Sequence, residues 1–173
     1  MLETQIASVN ETRRRVLDFL DDVSEGQSAF KPAPESWCLQ EIVEHLALAE
    51  EIGGLFIWRA IETPWDGEHP HQGLSIEEVV GKTWAPKVEA PEPARPRFGG
   101  PLAYWCARLA GAETMLDELG RELSGRDLAR IIYPHVLSGP LDAGQRIDFL
   151  RFHMERHLGQ MEAVRRDPAF PQR

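Results

Sequence analysis

One stretch of this chain leaves little choice of secondary structure. Leu102, Trp105, Leu109, Ala112, Leu116, Leu119 and Leu123 recur at alternating spacings of three and four without a break, which lines one face of an α-helix and fits no strand. Three other segments follow the same rule. The first carries Ile6, Val9, Val16, Leu20 and Val23, with Arg13 the only interruption. The second carries Ile42, His45, Ala49, Ile52 and Phe56, and the last carries Ile147, Leu150, Met154, Leu158 and Met161. Each such face needs a partner to bury it. Punctuation agrees: Pro101 suits a first helical turn, Asp142 with Gln145 reads as a capping box, and Pro168 and Pro171 end the chain's last helix. No period-two run of β-branched residues is visible. The expectation is an all-α protein, a single four-helix bundle over 1–173 with helices near 2–23, 39–62, 101–123 and 142–166.

Between the second and third helices lies a segment of another character, residues 63–100. Seven of the 13 prolines fall from Pro64 to Pro101. Leu74 to Trp84 is expected to form a short helix, because Ser75 and Glu78 make a capping box, while KVEAPEPARPRFGG reads as irregular. A long crossover of this kind joins parallel neighbours in a bundle, and long loops also serve as lids or binding surfaces. A second link, Ser124 to Gly139, contains DLARIIY, which reads as a further helical turn.

Composition narrows the function classes. With 28 acidic and 19 basic residues the net charge is −9, the wrong sign for a nucleic-acid phosphate backbone. Cys38 and Cys106 are far apart and form neither a disulfide scaffold nor a CxxC site. The apolar stretch Leu46–Trp58 is interrupted by Glu50 and Glu51 and is short for a membrane span. The first residues, MLETQIASVNETRRR, lack the apolar stretch of a signal peptide. A cytoplasmic protein is expected, with no nucleic-acid or membrane partner.

Chemistry concentrates in three of the six histidines. His45 occupies a core position of the second helix. His153 and His157 stand one turn apart on the last helix, beside its apolar stripe. Three imidazoles from two facing helices can hold a divalent ion and leave a coordination position open, the catalytic pattern for zinc. An isolated pair at this spacing more often packs or lies on the surface. Glu155 projects to another side of the helix, so HMERH is not the HExxH arrangement of metalloproteases.

Two strings resemble a known family. ESWCLQEIVEHLALAE, from Glu35 to Glu50, is similar to the second-helix signature of the DinB-like superfamily. PHVLSGPLDAGQRIDFLRFHMERHLGQME, from Pro134 to Glu162, resembles that family's last helix, where a glycine-containing turn precedes an HxxxH pair followed by Gln. The resemblance implies a four-helix bundle whose divalent metal, zinc or nickel, is held by His45, His153 and His157. It also implies enzymes that use a low-molecular-weight thiol, such as bacillithiol-dependent S-transferases and mycothiol-dependent maleylpyruvate isomerase, and in some members a homodimer. Cys38 stands at the cap position where the family has Ser or Thr.

The functional expectation is therefore a metal-dependent enzyme, a thiol-dependent S-transferase or a hydrolase, that acts on a small electrophilic molecule. The alternatives are a non-catalytic bundle protein of stress response that binds metal or a small ligand, and histidines that only pack. Other side chains carry plainer expectations. Arg156 and Gln160 flank the pair as solvated or trimming groups that could assist it. His135 reads as a turn residue, His69 and His71 as exposed, and Arg13 to Arg15 as solvated. Trp58, Trp65 and Trp84 pack the crossover or line a pocket, and Cys106 is a small buried hydrophobe.

Overall fold

The computed structural model describes residues 1–85 and 88–172. Pro86 and Lys87 of the expected crossover, and Arg173, lie outside the described residues. The protein is predominantly helical. Four long helices carry it: α1 (Leu2–Leu20), α3 (Leu39–Glu62), α5 (Leu102–Leu123) and α6 (Ala143–Arg165). Two short ones, α2 (Glu25–Ser28) and α4 (Ile76–Thr83), sit in the links. Helix α5 packs on α1 and α3, and α6 packs on the same two, so each long helix has two long neighbours and one shared core. Every member of the α5 stripe is buried, as are Ile147, Leu150, Met154, Leu158 and Met161 of α6. Among the described residues, no helix is long and apolar enough to cross a membrane.

The caps follow local chemistry. Asp142 Oδ1 accepts the Gln145 N–H at 2.9 Å while Gln145 Oε1 accepts that of Asp142 at 3.2 Å, satisfying two donors that a helix start leaves free. Ser75 and Glu78 do the same for α4, and Ser24 and Gln27 for α2. At α3, where Cys38 holds the cap position, the Glu41 carboxylate accepts the Cys38 N–H at 2.9 Å.

Three expectations need correction. The chain is not purely helical: β1 (Ile132–His135) and β2 (Gly139–Asp142) form an antiparallel hairpin. DLARIIY supplies only a 3-10 turn, Leu128–Arg130, before its β-branched and aromatic residues enter β1. The turn closes with Gly139 at φ 71°, a backbone that glycine adopts without strain. Second, the buried side of α3 is wider than a stripe. Residues 42–48 are all buried because the crossover covers their outer face, while Ala49, Ile52 and Phe56 are only half-buried. Third, Arg13 is not solvated but 2% exposed, with its guanidinium on Glu50 at 2.7 Å. Arg14 and Arg15 do face solvent.

Candidate metal centre

The two helices that carry the histidines also aim them. On α3, His45 points to α6. On α6, one turn brings His153 and His157 to the same side. Nε2 of His153 stands 3.0 Å from Nε2 of His45 and 3.1 Å from Nε2 of His157. All three rings are buried, at 3, 8 and 7% exposure for His45, His153 and His157. Their ligand atoms lie within 4.8 Å of one another, so the group could hold a metal ion.

Proton bookkeeping at these rings tests the fit. His45 Nδ1 is 2.7 Å from the Ala94 carbonyl, which only accepts, so Nδ1 carries the proton and Nε2 offers a lone pair. His157 Nδ1 donates to Gln160 Oε1 at 2.8 Å, with the same result. Both lone pairs face His153 Nε2, whose single proton can serve only one of them. A divalent cation satisfies all three nitrogens at once. Outward Nδ1–H bonds to a carbonyl and an amide are also the usual supports of metal-binding histidines. The donor set fits a metal that binds imidazole, such as zinc or nickel.

Burial keeps the rings neutral. Desolvation lowers the basicity of His45 and, much further, of His153, while His157 falls to about 3. Aromatic rings pack around the imidazoles. Trp37 packs 4.9 Å from His45 and 6.3 Å from His157, and Phe149 stacks on His153 at 5.4 Å.

A family model, that of the DinB superfamily, matches residues 9–161. The chain belongs to the DinB superfamily. It is also similar to the uncharacterized protein YuaE of Bacillus subtilis, 24% identical over 159 residues that cover 90% of this chain and 94% of that one. No solved structure gives a significant match. In this DinB-superfamily chain, the remaining expected site residues fall into two groups.

Those near the histidines are Gln160, His135, Trp84 and Arg156. Gln160 is the hydrogen-bond partner just described. His135, the expected turn residue, does accept the turn's Leu137 and Ser138 N–H groups on Nδ1 at 3.3 and 3.2 Å. Its ring also lies 4.5 Å from Phe149. Trp84 donates from Nε1 to Ser138 Oγ at 2.9 Å, and the Arg156 guanidinium sits over its ring. Glu155 pairs with Arg151 and Arg15, away from the imidazoles.

Elsewhere, His69 and His71 are not exposed. They bond Gln145 Oε1 at 3.2 Å and the Ser138 carbonyl at 2.8 Å, tying the crossover to the hairpin and the start of α6. Trp58 packs on the main core, and Trp65 bonds locally to Glu68. Cys106 is half-buried against the core, where desolvation raises its thiol pKa.

Sequence reasoning missed Glu44. Its side chain is fully buried, and its carboxylate accepts the N–H groups of Arg97, Phe98 and Gly99 at 2.6, 2.7 and 3.1 Å, and Gln40 Nε2 at 3.2 Å. The signal was available: an acid beside His45 inside an otherwise apolar run. Glu44→Gln replaces one acceptor oxygen with a donor facing those N–H groups. The expected loss is roughly 2 kcal/mol, concentrated in the crossover. Hydrogen exchange at residues 97–99 should quicken about 30-fold while α5 is unchanged; uniform acceleration would mean a global effect instead.

A pH dependence follows as well. His135 and His157 titrate near 3 when folded against 6.5 ordinarily, chiefly through desolvation. The unfolded chain therefore takes up protons first as pH falls. Stability is full above about 6.5 and declines towards 3, by about 1.4 kcal/mol per pH unit for each group. Melting temperatures of metal-free protein between pH 7 and 4 check this, and His135→Gln should flatten the slope. A flat profile in the wild type would contradict it.

Proposed function

We propose that this protein is a four-helix-bundle enzyme that holds a divalent metal, zinc or nickel, on His45, His153 and His157, and uses it to join a low-molecular-weight thiol to a small electrophile in the cytoplasm. The observation that carries the reading is the convergence of three buried, neutral Nε2 atoms, two of them with their Nδ1 protons committed elsewhere. Membership of a superfamily that includes metal-dependent enzymes supports it. Such an ion supplies Lewis acidity and lowers the pKa of a thiol that reaches it. The chain's own contribution is orientation and dryness. Ala94 and Gln160 hold two imidazoles in one tautomer and one rotation, and Trp37 and Phe149 keep water from the rings.

The test is conjugation of monochlorobimane with cysteine, glutathione and bacillithiol, comparing metal-loaded with chelator-stripped protein. At least one thiol should react about 100-fold faster with loaded protein, the scale on which positioned catalytic groups act. A second reading rests on burial: ligands only 3 to 8% exposed suit an ion held without chemistry. Tightly retained metal with no thiol turnover above stripped protein would favour that non-catalytic module.

A further inference from the structure

Helix α6 carries several arginines, and they differ in how their charge is met. Arg151 pairs with Glu77 and Glu155, and Arg165 with Asp22. Buried Arg146 donates to the carbonyls of Tyr133 and Pro134. Arg156 is exposed, and among the described residues no carboxylate forms an ion pair with it. Its guanidinium instead lies 5.7 Å from the centre of the Trp84 ring. That ring is itself fixed, by the bond to Ser138 Oγ and by contacts with Phe149 at 5.9 Å and Phe152 at 6.4 Å. Phe149 in turn stacks on His153 at an interplanar angle of 16°. A continuous aromatic wall thus leads from an unpaired surface cation to the imidazole at the middle of the triad.

An arginine held on an indole face loses little freedom when it binds, and its planar fork suits a carboxylate better than an ammonium would. The rest of the molecule opposes anions, with a net charge of −9. We propose that Arg156, fixed on Trp84, is the specificity residue of the candidate metal centre, selecting small molecules that carry a carboxylate beyond their metal-binding atom. The inference rests on the metal reading above and narrows its substrate class to anionic thiols.

Cobalt-loaded protein provides the test, since thiolate coordination gives a charge-transfer band that can be titrated. Wild type should bind mercaptosuccinate about tenfold more tightly than neutral mercaptoethanol, a preference that weakens with salt. Arg156→Gln should take up cobalt normally yet lose the preference, Arg156→Lys should keep part of it, and Arg156→Glu should reverse it. An unchanged preference in Arg156→Gln overturns the proposal and leaves the metal centre standing, as does cobalt uptake with no thiol binding. Failure of the wild type to take up cobalt overturns both.

Discussion

Alanine at His153 should abolish metal binding. His153 Nε2 is the atom that both other imidazoles approach, so its loss removes a ligand and leaves only two. Even a lost outer-shell partner typically weakens metal affinity about 10–100-fold; loss of a direct ligand should exceed the upper figure. Protein purified without a histidine tag should carry about one equivalent of zinc or nickel, and the variant close to none. Stability gives a second readout. Zinc at a thousand times its Kd stabilises the folded state by about 4 kcal/mol, or roughly 10 °C in Tm for a chain of this size. Wild type should show that rise and His153→Ala should not. Equal metal content in the two proteins, or an equal Tm rise, would sink the site.

Breaking the buried ion pair should cost stability on a comparable scale without touching the histidines. Arg13 and Glu50 are 2% exposed in their side chains, and Glu50 Oε2 receives both Nε and Nη2 of the arginine, at 3.3 and 2.7 Å. Glu50 Oε1 has no partner among the described residues. Burial raises the Glu50 pKa, and Arg13 opposes the shift. Arg13→Met therefore strands an acid in the core. The expected loss is about 3–5 kcal/mol, lowering Tm by about 10 °C or more. Adding Glu50→Leu should restore most of it, since an apolar pair of similar volume often replaces a buried ion pair without loss. Urea titration of both variants checks the sign. If the double variant is as weak as Arg13→Met, the packing around the pair matters more than its charge.

The sequence made the parts governed by local rules legible. Helical periodicity gave the four long helices, capping boxes placed the starts of α4 and α6, and an i, i+4 pair with a core histidine on another helix pointed to the triad. What it hid depends on contacts between distant residues. Nothing near Arg13 announces Glu50, 37 residues away. The hairpin strands have four residues each, too few for a period of two to stand out, and Pro134 opposes Pro140 in their register. His69 and His71 flank a proline in a polar segment and look solvated until α6 and the hairpin are placed beside them. Ser24 and Gln27 are a different case: that capping box was visible, and the short α2 helix it starts was overlooked.

The crossover meets α3 through main-chain atoms alone at its tightest points: the Ala94 carbonyl on His45, and the N–H groups of residues 97–99 on Glu44. Main-chain atoms are the same whatever side chains a loop bears, except that proline lacks the N–H and is barred from positions 97 and 98. Residues 95–98 can therefore be diversified, by mutation or in a combinatorial library, without rewriting the instructions that seat the loop. Exposed Phe98 is the natural first position to vary. In this fold, invention and anchorage are assigned to different atoms of the same residues.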